Sequence, residues 1–139
     1  MKRVLIVEDD PLIAIDLEQT IHDLGYRTSG IANSFDSAKR LAPHSELALV
    51  DVHLIDGATG PRIGQLLSQE FGISVVMLTG NPELIADGIP GVIGVISKPA
   101  QPITIKELLE FMVNDTGQPT RYPSALRLFS FDRNPASAK

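Results

Sequence analysis

The sequence predicts an α/β fold in which helices cover both faces of a parallel sheet, and three observations lead there. Short apolar runs alternate with helix-period segments through most of the 139 residues, the pattern of successive βα units. Four of those runs stop at polar groups: Val4-Leu5-Ile6-Val7 at Glu8 and Asp9, Ala48-Leu49-Val50 at Asp51, Val75-Val76-Met77-Leu78 at Thr79, and Val92 to Ser97 at Lys98. A carboxylate closing a buried run is costly unless a metal, a cation or chemistry needs it. In a parallel sheet the carboxyl ends of the strands share one edge, so these groups should converge.

Each element has a local reason. The first helix takes Asp10 as its cap and Pro11 as its first residue. Ile13, Leu17, Ile21 and Leu24 mark one face, and Gly25 ends it. Arg27 to Ile31 is a weak second strand, followed by a helix near Phe35 to Leu41. A third helix follows Gly60-Pro61, with Ile63, Leu66, Leu67 and Phe71 inward. Asn81-Pro82 caps a fourth that Gly88 and Pro90 cut short. A fifth runs from about Pro102 to Val113, burying Ile105, Leu108, Leu109 and Met112. The second strand ends without a polar group. The flavodoxin-like order 2-1-3-4-5 therefore sets the four polar-ended strands side by side and leaves the second at the edge. Right-handed crossovers then give a doubly wound (βα)5 sheet with a short fourth helix.

Composition narrows the function. A formal charge of -5 and a pI near 5.1 lack the basic footprint of a nucleic-acid binder. The absence of cysteine excludes thiol catalysis, disulfides and zinc-thiolate sites. Lys2 and Arg3 precede an apolar run that stops at Glu8, too short for a signal-peptide core. No stretch approaches the roughly 18 apolar residues of a membrane span. The expected location is the cytoplasm, with neither membrane nor nucleic acid as partner. The expected domain covers 1–115 and a tail covers 116–139. Thr116-Gly117-Gln118-Pro119 is linker-like and Asn134 to Lys139 has a disordered composition. Between them Leu126-Arg127-Leu128-Phe129-Ser130-Phe131 is apolar enough to dock on the domain, pair as a strand or join a second subunit.

Glu8, Asp9 and Asp51 would bring up to three negative charges together. At 4 Å like charges repel by roughly 1 kcal/mol in water and about 4 kcal/mol at an effective dielectric of 20, so the cluster raises its pKa values or recruits a cation. Few oxygen ligands with room for water suit Mg²⁺. Lys98 adds a fixed positive charge and Thr79 a hydroxyl. A carboxylate nucleophile, a divalent ion, a lysine and a hydroxyl are what phosphoryl transfer to an aspartate requires. Each residue alone has a plainer role: an acidic pair can cap a helix, a threonine can fill a strand, and a lysine is usually solvated. Those plainer roles do not explain four strand ends carrying matched groups.

The motifs Val7-Glu8-Asp9-Asp10-Pro11-Leu12-Ile13, Leu49-Val50-Asp51-Val52-His53-Leu54 with Asp56-Gly57, Leu78-Thr79-Gly80, and Ser97-Lys98-Pro99 follow one another in the order of a known family. Over residues 1 to about 114 the chain resembles the response regulator receiver domain of bacterial two-component signalling. The resemblance implies that Asp51 is the phosphoacceptor and that Glu8 and Asp9, with Asp51 and the His53 carbonyl, hold Mg²⁺. It also implies that Thr79 is the switch hydroxyl, that Lys98 pairs with the phosphate, and that the Lys98-Pro99 peptide is cis. Its partners would be a sensor histidine kinase or phosphotransfer protein and a downstream protein.

Three departures from the family pattern stand out. Ile55 replaces the usual proline before Asp56-Gly57. Val95, three before Lys98, stands where an aromatic switch is common. The fourth helix is truncated between Pro82 and Asp87. With Asn81-Pro82-Glu83-Leu84 and Lys98-Pro99-Ala100-Gln101-Pro102, the last two of these resemble an atypical subgroup that includes receivers lacking the aromatic switch and the receiver half of PhyR-type regulators. Kinases of the HWE type often serve such receivers. No sigma-factor-like domain precedes the receiver, so a stand-alone response regulator is expected, a self-catalysing phosphoacceptor rather than a metabolic enzyme.

Other candidates are weaker. His22 and His44 read as surface residues, and neither they nor His53 has metal-ligand spacing. His53 and Asn81, each two residues past a site residue, sit where they can touch phosphate lifetime. Gly57, Gly60 and Gly80 read as turn glycines, with no Walker-type sequence. A homodimer through the tail or the fourth-helix face is a further expectation. One alternative is a phosphorylation-independent module on the same fold. Another is a metal-dependent phosphohydrolase, disfavoured because His53 stands where such enzymes carry a second acid.

Overall fold

Runs of aliphatic residues form the strands of one sheet in the structure, a computed structural model that describes residues 2–113 and 123–129. Strands β1 (Arg3–Val7), β2 (Arg27–Ala32), β3 (Leu47–Asp51), β4 (Ser74–Thr79) and β5 (Gly94–Ser97) pair in parallel in the order β2-β1-β3-β4-β5. This is the expected flavodoxin-like topology. A two-residue strand β6 (Arg127–Leu128) adds antiparallel to the outer edge of β5. Four α-helices flank the sheet: α1 (Pro11–Asp23), α2 (Phe35–Leu41), α3 (Gly60–Phe71) and α4 (Pro102–Val113).

Strand alternation divides the core in two. Leu5, Val7, Ala48, Val50, Val75, Met77 and Val95 share a cluster with residues of α2 and α3. Val4, Ile6, Leu47, Leu49, Val76, Leu78 and Ile96 share the other with α1 and α4. All five residues of β3 are buried, as the central strand of a sheet covered on both faces requires. Each fully buried leucine or isoleucine contributes roughly 1.5–3 kcal/mol, so β3 is anchored from both sides.

Capping sets the helix starts. The Asp10 carboxylate accepts the Leu12 and Ile13 amides, and Ser34 and Ser37 cap α2 reciprocally. Gly72, at φ 68°, ends α3 in the left-handed conformation.

Several expectations need correction. There are four α-helices rather than five among the described residues, because Pro82–Ile85 makes only a 3-10 turn. Gly88, Pro90 and Gly91 follow too closely for a helix to recover the cost of its first turn. Asn81 stands at the cap position, but its side chain makes no capping bond. Ile13 is 40% exposed, and Ala14, Leu17 and Ile21 form the buried face of α1. The buried stripe of α3 is Gly60, Ile63, Gly64 and Leu67, while Phe71 is exposed. The reason is steric: a β-carbon at Gly64 would lie 3.1 Å from both Met77 Sδ and Val92 Cγ2, so the helix presses its glycine face to the sheet. The α4 face is the expected one, with Ile105, Leu108, Leu109 and Met112 buried. The linker-like segment at 116–119, Phe131 and the 134–139 end lie outside the described residues.

Candidate functional site

The carboxyl ends of β1, β3, β4 and β5 meet at one edge of the sheet. Register accounts for this: Val7 pairs with Val50, Asp51 with Leu78, and Thr79 with Ser97. Glu8, Asp51 and Thr79 are buried at 4%, 8% and 3% exposure, whereas Asp9 is exposed.

Glu8, Asp9 and Asp51 each offer a carboxylate oxygen, and these oxygens lie within 4.8 Å of one another. The Lys98 ammonium donates to Glu8 Oε1 at 3.0 Å and to Asp51 Oδ2 at 3.3 Å. The other Glu8 oxygen, Oε2, accepts the Asp10 amide at 3.1 Å, so Glu8 is held from two sides. Burial pulls the Lys98 pKa down. The hydrogen bond to Glu8, the charge of Asp51 and the charge of Glu8 outweigh it, leaving the ammonium above the ordinary lysine value. Three carboxylates against one lysine leave two negative charges unbalanced. That charge, and hard oxygen donors too few to fill a coordination shell, fit a small divalent cation.

Thr79 Oγ1 accepts the Asn81 amide at 3.1 Å, and the Thr79 carbonyl accepts the Lys98 amide at 2.9 Å. The threonine is thus tied to the lysine through the backbone, and its hydroxyl bonds its own turn rather than the acids. The Lys98-Pro99 peptide is cis. His53 is exposed two residues beyond β3, and its side chain is not part of the acidic group. Val95 lies in the buried α2/α3-side cluster and pairs with Arg127 across the edge. His22 and His44 stand on the surface, with the His22 ring 3.3 Å from the Thr28 hydroxyl.

The sequence reading missed the tight Lys98–Glu8 contact, because these residues stand 90 positions apart and only the strand order joins them. It also missed Gly60. This glycine opens α3 and donates its amide to the Val52 carbonyl at 3.0 Å. A β-carbon there would overlap the Asp51 carbonyl oxygen and stand 2.6 Å from Val52 Cα. Helix α3 therefore rests directly on the backbone that carries Asp51. The Pro that follows signalled a helix start, but nothing local signalled the contact.

The chain is similar to known proteins. PhyR of Methylorubrum extorquens, described as a phyllosphere-induced regulator, is 34% identical over 110 residues, which cover 76% of this chain and 41% of that protein. The receiver domain of Erythrobacter litoralis PhyR superposes with a TM-score of 0.74 at 28% identity, covering 86% of this chain and 95% of that one. The response regulator PhyR of Brucella abortus gives 0.67 at 32% identity, covering 76% and 44%. The chain spans about two fifths of the length of the curated relatives it matches. Residues 4–110 match the response regulator receiver domain. With that match, the acidic edge and the strand order in agreement, the chain belongs to the receiver domain family of response regulators.

Proposed function

We propose that this receiver domain is a phosphorylation switch. Asp51 takes a phosphoryl group from a phosphohistidine on a sensor histidine kinase or phosphotransfer protein, and the phosphorylated chain changes its binding to a downstream protein or relays the phosphate. The observation that carries this reading is the meeting of Glu8, Asp9 and Asp51 with the Lys98 ammonium at one sheet edge. Glu8, Asp9 and Asp51 fit Mg²⁺, and the family resemblance adds the His53 carbonyl. When bound, the ion supplies charge neutralisation at the phosphoryl oxygens.

The chain's own residues do the rest. A carboxylate oxygen of Asp51 attacks phosphorus as the P–N bond to the donor imidazole breaks, and the imidazole leaves with the bonding pair. A carboxylate nucleophile has no proton to lose, so no separate base is needed. Lys98, already 3.3 Å from Asp51 Oδ2, moves its ammonium onto a phosphoryl oxygen. The Thr79 hydroxyl donates to another, which pulls on the turn it now bonds at Asn81. A groove of about 380 Å³ beside Lys98, lined by Ile13, Leu17, Leu78, Pro99, Ala100 and Ile105 among others, offers an apolar surface to the phosphodonor. On this reading the chain works in the cytoplasm beside its donor. Among the described residues no helix is long and apolar enough to cross a membrane.

Intact-protein mass after incubation with Mg²⁺ and either acetyl phosphate or a phosphorylated histidine donor tests the reading. One added phosphoryl group is expected, lost with EDTA and absent in Asp51→Asn. An unchanged mass with both donors would favour a phosphorylation-independent interaction module instead.

A further inference from the structure

The β3–α3 loop that follows Asp51 is closed on itself and tied to a neighbouring turn. Leu54 and Gly57 exchange two main-chain bonds, at 2.8 and 3.0 Å, with Ile55 and Asp56 at the tip between them. Gly57 takes φ 110° there, a conformation that other residues resist. The Val52 carbonyl accepts the Gly60 amide at 3.0 Å. The carbonyls on either side of His53 are thereby consumed, while among the described residues no group donates to the His53 carbonyl.

The tip of the loop grips the β2–α2 turn. One Asp56 carboxylate oxygen accepts the Thr59 hydroxyl at 2.6 Å, and the other accepts the Phe35 amide at 3.0 Å. The Ile55 amide donates to the Asn33 carbonyl at 3.3 Å. Arg62, in the first turn of α3, holds its guanidinium 4.7 Å from the centre of the Phe35 ring. The reciprocal cap of Ser34 and Ser37 fixes the turn itself. The same turn also meets β1, where the Ala32 carbonyl accepts the Glu8 amide at 2.8 Å. Residues 32–35 therefore bridge the acids at the end of β1 and the loop that leaves Asp51. Asp56 is the side chain by which the loop holds that bridge, and it is not itself one of the three clustered acids.

We propose that Asp56 is a positioning residue for the cation site. Gripped at Asp56, the loop keeps the His53 peptide at a fixed distance from Glu8 and Asp9, so a cation need not order it on binding. Released, the loop must be ordered by the cation, and that cost appears as weaker affinity. The effect on the cation rests on the phosphorylation reading; the hold on the loop stands on its bonds alone.

Calorimetric titration of Mg²⁺ into the full chain, beside nitrogen-15 relaxation in metal-free buffer, tests both. Asp56→Ala should weaken Mg²⁺ binding about three- to tenfold, what the loss of one ordinary hydrogen bond amounts to. Thr59→Val keeps the Asp56 charge and removes its hydroxyl partner, and should weaken binding in the same direction. Asp36→Asn, which neutralises an exposed acid at the start of α2, should leave binding level. In Asp56→Ala the order parameters of residues 53–57 should fall from about 0.85 toward 0.6 while those of the strands hold. Phosphoryl uptake by that variant should be slow at low Mg²⁺ and recover at saturating Mg²⁺. Thr59→Val carries the relaxation arm should Asp56→Ala unfold. A loop as rigid in the variants as in the wild type overturns the positioning role, whether or not metal binds. Equal weakening by Asp36→Asn reduces the effect to charge and also overturns it, as does a deficit that saturating Mg²⁺ does not lift. A wild-type chain that binds no Mg²⁺ removes the cation from the phosphorylation reading instead, and relaxation still decides the loop.

Discussion

Lys98 sets the charge balance at the sheet edge, since it is the cation bonded to both Glu8 and Asp51. Removing one partner of a buried pair leaves the other charges uncompensated, which costs more than the pair itself contributes. Because Lys98 is only partly buried, Lys98→Ala should lower stability by about 1–3 kcal/mol in metal-free buffer, measured by urea denaturation. No loss would mean that solvent already screens the acids. Asp56 works differently. Its carboxylate accepts the Thr59 hydroxyl at 2.6 Å and the Phe35 amide at 3.0 Å, and these bonds hold its pKa below the ordinary aspartate value. A depressed folded-state pKa means that its contribution is present above the unfolded value, near 3.9, and is lost as pH falls through the folded one. The Phe35 amide resonance should therefore titrate with a midpoint below about 3.9, and Asp56→Asn should abolish that titration. The acidic residues were legible in the sequence because each interrupts an apolar run. Gly60 was not, since an exclusion of side-chain volume leaves no mark in local composition.

At the scale of the element, α3 shows where periodicity misleads. Counting large apolar side chains selects Ile63, Leu66, Leu67 and Phe71, yet the helix buries Gly60, Ile63, Gly64 and Leu67. Close approach rewards absent side chains as much as present ones, and a hydrophobicity count cannot register absence. The consequence is measurable. Leu67→Ala should cost about 2–5 kcal/mol as a buried deletion, and Phe71→Ala about 1 kcal/mol or less. Equal losses would restore the periodicity reading. Gly60→Ala should destabilise by about 1–3 kcal/mol through overpacking and should also slow phosphorylation, because the strain falls on the Asp51 backbone. Normal uptake in a destabilised Gly60→Ala chain would show that α3 packing and the acceptor position are independent. The α4 stripe was read correctly because its buried face is lined by full-sized residues.

Across the whole molecule, strand order was legible for a reason that composition could not supply. Four polar strand ends called for contiguity, and the flavodoxin-like order satisfies it; the structure has that order with β6 added at its open edge. Strand β6 was not legible as a partner of β5, since Gly94 lies about thirty residues from it and reads as an ordinary strand glycine. Convergence of acids from β1 and β3 would also couple the proposed metal binding to global stability. The ligand set exists only when both strands are paired, so an ion held by Glu8, Asp9 and Asp51 would bind the folded chain alone. Mass action then adds about 1.4 kcal/mol at ten times the dissociation constant. For a domain of this size that is a rise in Tm of about 4 °C. Calorimetry with increasing Mg²⁺ should show a Tm that climbs with the logarithm of concentration once binding saturates. Asp9→Asn should shift that curve to higher concentration while leaving the metal-free Tm level or raised, because it removes an exposed, repelled charge. A Tm indifferent to Mg²⁺ in the wild-type chain would mean that Lys98 alone balances the acids, and the cation would have to be dropped from the proposed chemistry.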